Sequence, residues 1–151
     1  SEKLEITGED TLFSYNIRTM GIKIVRVTDA LVYWVMPKTV LETLSKFYNY
    51  AQGDAQVRIW WHPIQGRSTH SIKILSIFAR YTVGLLLLVV AIYNKQLFYI
   101  LILGCISYLS WAVLKVKEVV KDMRSRLWVP VMQVSSDFAV MAGFLSGLRK
   151  G

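Results

Sequence analysis

The chain has 151 residues, and its 18 basic residues against 10 acidic ones give a net charge of +8. Hydrophobic residues make up 54% of it, which excludes an intrinsically disordered chain, and the single cysteine, Cys105, excludes an internal disulfide framework. The mean hydropathy of +0.39 indicates a membrane protein.

The N-terminal part alternates between helical and extended patterns. Apolar residues at helical spacing predict a helix over residues 11–20, with Thr7 as its N-cap and Gly21 as its stop. The β-branched run 22–27 predicts a short strand. Residues 31–36 form a second extended apolar run.

A second helix is predicted to begin at Thr39 and to end at Gly53, because its apolar residues share one face. An aromatic cluster, Trp60, Trp61 and His62, follows it and then a polar loop. The aromatic cluster is predicted to anchor at the lipid headgroups, with contact to an acceptor substrate as the alternative. His62 and His70 have no cysteine or carboxylate cluster beside them, so we expect no metal site there.

Two apolar runs predict a transmembrane hairpin over about residues 74–93 and 97–114, separated by Asn94-Lys95-Gln96. Arg80 is the one charge in the first run, and near a helix end it can extend toward the headgroups. The alternative is a pair of buried helices in a soluble core. That alternative is disfavoured because the rest of the chain is too short to cover them.

The charge lies mainly beside these runs. Residues 1–72 carry eight bases and seven acids, whereas residues 73–151 carry ten bases and three acids. Basic residues flank both outer ends of the hairpin, which predicts that these ends are cytoplasmic and that Lys95 is external. A basic half that is also apolar favours membrane lipids as partners, so we expect no nucleic-acid partner.

A third apolar stretch covers residues 129–148, with Pro130 expected in its first turn. Asp137 near its centre makes a lipid-facing span costly. The terminal Arg149 and Lys150 also argue against export. We expect a helix at the interface or packed on the hairpin, with a third span as the alternative.

A set of short motifs follows in order within residues 9–39. Glu9-Asp10 opens a helix, Gly21 and a strand follow, and Asp29-Ala30 and Pro37-Lys38-Thr39 precede the second helix. This order resembles the second half of the catalytic domain in family 2 glycosyltransferases, which are inverting enzymes of the GT-A type. The resemblance implies an α+β protein: the C-terminal part of a GT-A-like α/β catalytic domain, a transmembrane hairpin, and a C-terminal amphipathic or membrane helix.

The likeness extends into residues 46–54, which are similar to the family segment built on Gln-x-x-Arg-Trp. The chain departs from it at Asn49, where arginine is common. The Asp-x-Asp metal motif of the family does not occur in the sequence. The resemblance therefore implies a fragment of a longer enzyme, inactive alone, whose divalent cation (Mg or Mn) is held by ligands outside this chain.

The resemblance also implies the roles of individual residues. Asp10 would be the general base and Glu9 a supporting residue; the acceptor would be bound by Tyr48, Tyr50, Gln52 and Asp54. The simpler interpretations are first-turn carboxylates that offset a helix dipole, and core packing of an amphipathic helix. Donor and acceptor would be a nucleotide sugar and a lipid-linked or polysaccharide chain at the cytoplasmic membrane face.

These interpretations divide the chain into three parts. Residues 1–72 would be catalytic with an interfacial helix, residues 73–116 the hairpin, and residues 117–151 a basic segment and an apolar helix. The alternative function is that of a small non-enzymatic integral membrane scaffold or subunit with basic cytoplasmic arms.

Overall fold

The computed structural model describes residues 9–23, 25, 27–33, 35–58 and 70–150. These residues form five helices and contain no strand. The helices are α1 (Glu9–Thr19), α2 (Val40–Gln56), α3 (His70–Ala91), α4 (Lys95–Val116) and α5 (Met123–Lys150). They belong to two compact units, one of residues 1–74 and 138–151 and the other of residues 75–137.

Helix α1 ends as its sequence predicts. The amide of Gly21 donates to the carbonyl of Arg18 at 3.1 Å, and the amide of Ile22 donates to the carbonyl of Ile17 at 3.2 Å. Gly21 has a φ of +71°, the left-handed conformation that glycine adopts without a Cβ penalty. This pair of bonds is the Schellman arrangement, so Gly21 is confirmed as the stop. Thr7, the expected cap, lies outside the described residues.

The strand expected over residues 22–27 is wrong for those of its residues that are described, 22, 23, 25 and 27. A strand forms only where its backbone groups pair with a neighbouring strand. β-branched residues suit a strand, but they do not show that a neighbouring strand is present. Val25 is 73% exposed and Val27 is 68% exposed. The run 31–36 is also irregular where described, and Tyr33 is 94% exposed.

Helix α2 begins where predicted but runs further. The Thr39 hydroxyl accepts the amide of Glu42 at 3.2 Å, and the Glu42 carboxylate accepts the amide of Lys38, the residue before the cap, at 2.9 Å. This arrangement differs from a capping box only in that the return bond comes from the residue before the cap. Gly53 was expected to end the helix and instead lies buried inside it. Tertiary packing on a small residue outweighs the low helix propensity of glycine there. The positive φ falls on Arg58, just past the end.

Helices α3 and α4 confirm the predicted hairpin segments. Asn94 caps α4, because its side-chain oxygen accepts the amide of Gln96 at 2.9 Å. The most apolar 18 residues of each helix have mean hydropathies of 2.2 in α3 and 2.1 in α4, and 11% and 6% of these stretches are buried. Both helices are long and apolar enough to cross a membrane, and their exposed apolar side chains fit contact with lipid.

Helix α5 starts earlier than the sequence predicts. It begins at Met123, so Pro130 lies in the eighth position rather than in the first turn. Residues before the apolar stretch hold the first turn of α5 in place. The Arg126 guanidinium in that turn donates to the carbonyls of Val120 at 2.7 Å and Lys117 at 2.9 Å. With a hydropathy of 1.3, α5 is the third helix of the described chain that is long and apolar enough to span a membrane.

Asp122 caps α5 and gives a pH-dependent prediction. Its carboxylate accepts the amide and the hydroxyl of Ser125, both at 2.8 Å, and these bonds lower its pKa below the ordinary 3.8. A lowered pKa means that the stabilisation is complete above the ordinary value and is lost as the pH falls through the folded value.

We therefore expect Asp122→Ala to speed amide exchange in the first turn of α5 at pH 7, relative to the unchanged protein. That difference shrinks when both proteins are compared at about pH 2, corrected for intrinsic exchange rates. A difference of equal size at both pH values would contradict the capping role of the ionised carboxylate.

Candidate functional site

The predicted catalytic pair lies in the first turn of α1. The helix begins at Glu9, and Asp10, its second residue, is exposed. The first four N–H groups of a helix have no partner within the helix, and the helix dipole is positive there. A carboxylate at this position lies beside unpaired N–H groups and the positive end of the dipole, both in the role of a base and in that of a plain first-turn acid. The Ser14 hydroxyl donates to the Asp10 carbonyl at 2.8 Å within the same helix.

The four predicted acceptor residues lie on α2 but on opposite faces. Residues four apart share a helix face, so Tyr48 and Gln52 form one pair and Tyr50 and Asp54 form the other. Gln52 is 4% exposed, whereas Tyr50 is 36% exposed and has the Lys46 ammonium 5.8 Å from its ring centre. The structure therefore does not bring the four side chains to one surface.

The Tyr48–Gln52 face is packed against the C-terminal part of α5. The Gln52 amide donates to the Ser146 hydroxyl at 2.8 Å. A Cβ added to Gly143 would collide with the Tyr48 carbonyl, and one added to Gly147 would lie 2.7 Å from the Ala55 Cβ. The spacing of these two glycines is the small-xxx-small pattern that lets helix backbones approach closely. Gln52 thus has a packing role, which the sequence left as an alternative.

A shallow open hollow of about 230 Å³ lies beside the start of α2. It is lined by Val35, Met36, Pro37, Glu42 and Lys46. Two of these belong to the segment that leads into the predicted Pro-Lys-Thr motif, but the lining includes none of the four acceptor candidates. The hollow is therefore not the acceptor site that the resemblance implies.

The second unit contains a polar cluster between its apolar helices, built around Asp137. This carboxylate is 3% exposed and comes from α5. It accepts the Tyr81 hydroxyl at 3.2 Å, the Gln133 amide at 3.0 Å and the Tyr108 hydroxyl. Both carboxylate oxygens are thereby hydrogen-bonded, as a buried charge requires.

Arg80 supplies the opposite charge. Its Nη2 lies 3.7 Å from the Asp137 carboxylate, and its guanidinium carbon lies 4.5 Å from the centre of the Tyr108 ring. The side chain is 36% exposed, and its buried Nε has no hydrogen-bond partner among the described residues. Tyr108 in turn stacks on Trp111 at 6.0 Å between ring centres. The cluster joins α3, α4 and α5 by charge, hydrogen bonds and aromatic contacts.

Sequence reasoning treated the members of this cluster separately. Arg80 was predicted to extend toward the headgroups and Asp137 to make a lipid-facing span costly, and neither was connected with Tyr81, Tyr108 or Gln133. The signal that identifies them together is one acid and one base, each the only charge in its apolar run (Asp137 in 129–148 and Arg80 in 74–93), because such charges are paired in membranes.

The remaining candidates give no further site within the described residues. No group of three or more His, Cys, Asp or Glu residues that would hold a metal ion occurs there. Cys105 is a free thiol exposed on α4. The aromatic cluster Trp60, Trp61 and His62 lies outside the described residues.

Comparison with known proteins adds no relative: no protein-family model, no curated protein and no solved structure matches the chain.

Proposed function

We propose that this chain is part of a membrane-bound, inverting family 2 glycosyltransferase. The observation that carries the proposal is the ordered set of motifs over residues 9–39, followed by membrane helices. Two features of the fold support it: Glu9-Asp10 opens a helix, and Thr39 caps the next one. The substrates are a nucleotide sugar and a lipid-linked or polysaccharide acceptor.

The proposed chemistry is a single displacement at the anomeric carbon of the sugar. Asp10 takes the proton of the acceptor hydroxyl while that oxygen forms the new glycosidic bond, and the bond to the nucleotide diphosphate breaks with its electron pair on the leaving phosphate. Glu9 supports the base from the same helical turn. A divalent cation, Mg or Mn, would neutralise the leaving group from ligands outside this chain.

The acceptor would meet the face of α2 that carries Tyr50 and Asp54, rather than all four predicted residues. Tyr50 and Asp54 lie opposite the face that packs on α5, and an aromatic face buries the C–H surface of a sugar ring. Lys46 lies near the Tyr50 ring and would add a donor for a sugar hydroxyl or phosphate. We accordingly assign acceptor contact to Tyr50 and Asp54, and packing to Tyr48 and Gln52.

The exposed apolar run between α1 and α2 supports a larger catalytic domain. Leu31, Val32 and Tyr33 are 84%, 79% and 94% exposed. A contiguous apolar surface of this kind usually faces a partner surface or another part of the protein. In the proposal it is covered by the nucleotide-binding half of the enzyme.

The location is the cell membrane, with the catalytic part on the cytoplasmic side. Five bases lie between residues 115 and 126, directly after the second apolar helix, and only Lys95 lies in the opposite turn. The excess of bases marks the cytoplasmic side of short loops.

The test is sugar transfer by the protein expressed from its complete reading frame. Membranes are incubated with a panel of radiolabelled nucleotide sugars, and label is counted in the lipid and polymer fractions with Mg²⁺, with Mn²⁺ and with EDTA. We expect one donor to give metal-dependent incorporation above membranes that lack the protein. No incorporation from any donor would favour the alternative function, a non-enzymatic membrane scaffold or subunit. Such a protein has no transferase activity of its own, and its deletion would lower the activity of the partner that it holds.

A further inference from the structure

The contact between α2 and the end of α5 bears on how α5 meets the membrane. Gly143 and Gly147 bring the two backbones so close that neither position has room for a Cβ. Phe144 beside them is 8% exposed, and Ala51 and Ala55 on α2 are 5% and 2% exposed. Residues 143–147 therefore lie on whichever side of the membrane α2 occupies.

Chain connectivity places α2 on the side where α3 begins. Only residues 57–69 separate the two helices, whereas a crossing helix needs about 20 apolar residues. Helix α2 itself carries Glu42, Lys46 and Asp54 and is not among the helices apolar enough to cross. No crossing therefore separates α2 from the first residues of α3.

The start of α5 lies on the same side. Helices α3 and α4 form a hairpin, so α4 ends on the side where α3 begins. Only residues 117–122 link α4 to α5, and they include Lys117, Glu118, Lys121 and Asp122. Such a short, charged link does not cross a membrane, so Met123 lies on the side of α2.

The composition of α5 fits this placement better than it fits a span. Its hydropathy of 1.3 is well below the 2.2 and 2.1 of the two hairpin helices, and its buried share of 22% is larger. Bases stand near both ends, Arg124 and Arg126 at one and Arg149 and Lys150 at the other. Basic flanks at both ends favour one common side.

The depth of the polar cluster agrees with this placement. Arg80 lies seven residues after Lys73, or about 10 Å along α3, and Tyr108 lies eight residues before Val116, or about 12 Å along α4. The hydrocarbon core is about 30 Å thick. Asp137 of α5 therefore meets the hairpin about a third of the way into the hydrocarbon core from the common side.

We propose that α5 begins and ends on the same face of the membrane, held there by the docking of residues 143–147 on α2. Helix α5 is then a surface helix that covers the polar end of the hairpin, and the protein crosses the membrane twice within the described residues. This proposal does not depend on glycosyl transfer.

The test uses single cysteines in a Cys105→Ala background of the whole protein. Lys95→Cys, Glu118→Cys and Lys150→Cys replace residues that are all exposed, and sealed vesicles of both orientations are treated with an impermeant maleimide. We expect positions 118 and 150 to label in one orientation and position 95 in the other. Labelling of position 150 together with position 95 would show that α5 crosses, and would overturn the proposal.

A second arm examines the docking itself and does not rely on vesicle orientation. Gln52→Cys with Ser146→Cys should cross-link with a short bis-maleimide, whereas Tyr50→Cys with Ser146→Cys, from the opposite face of α2, should not. Adding Gly147→Val should abolish the first cross-link. The matched Gly104→Val should leave it intact, because no atom lies within 4 Å of a Cβ at Gly104. Equal cross-linking of both pairs would also overturn the docking.

Discussion

Replacing Asp10 by Asn should lower the turnover of the intact enzyme by about 100- to 10,000-fold, the usual contribution of a positioned general base. The amide keeps the shape of the side chain and an oxygen for the helix N-terminus but cannot accept the proton of the acceptor hydroxyl. The KM for the nucleotide sugar should change little, since the donor phosphates are bound elsewhere. Single-turnover transfer of labelled sugar measures the chemical step directly.

Two matched variants separate catalysis from charge. Glu118→Gln removes one negative charge from an exposed side chain in the link between α4 and α5, and turnover should be unchanged. Glu9→Gln should cost less than Asp10→Asn, because the proposed role of Glu9 is support. If Asp10→Asn turns over normally while chemistry limits the rate, Asp10 is only a first-turn carboxylate.

Replacing Asp137 by Leu should destabilise the membrane part by about 1 to 3 kcal/mol, the cost of leaving buried hydrogen-bond donors unsatisfied. The change leaves the hydroxyls of Tyr81 and Tyr108 without their acceptor and the charge of Arg80 without its partner. Thermal or SDS-induced unfolding in detergent micelles measures the loss. Ser136→Ala is the control, since the Ser136 hydroxyl bonds only to the Gln133 carbonyl of its own helix in the described contacts.

The pairing with Arg80 is tested by a double-mutant cycle. Asp137→Leu combined with Arg80→Leu should lose less stability than the sum of the two single changes, with a coupling of about 1 to 3 kcal/mol. The double variant leaves no unpaired charge, so only the loss of the acceptor for the Tyr81 and Tyr108 hydroxyls remains. Strictly additive losses would show that the two charges do not interact, and that the hydroxyl bonds alone hold Asp137.

Local chemistry made several elements predictable from the sequence. Hydropathy alone predicted both hairpin helices, since apolar runs of this length with at most one charge are typical of membrane spans. Gly21 and Thr39 were identifiable because a left-handed residue and a side-chain cap are set by near neighbours. The pair Glu9-Asp10 was likewise placed at a helix start.

The predictions that were wrong concern features that residues distant in the sequence determine. Gly53 reads as a helix stop, yet the burial of α2 keeps it helical. The run 22–27 has the composition of a strand, but a strand also needs a neighbouring strand, and residues 22–27 do not specify one. Nothing local to Asp137 shows that Tyr81 and Tyr108 complete its hydrogen bonds, because residues from three helices meet there. The two faces of α2 are a different case: helical spacing alone separates Tyr48 from Tyr50, and the position of α5 decides only which of the two faces is packed.

The anomeric configuration of the transferred sugar is the most direct test of the central claim, that Asp10 is the base of a single displacement. In such a reaction the acceptor oxygen attacks the face opposite the leaving phosphate. With the intact enzyme and its accepted donor, we predict that NMR of the first product shows the configuration opposite to that of the donor. Retention of the donor configuration would require two displacements or another geometry, and would contradict the role assigned to Asp10.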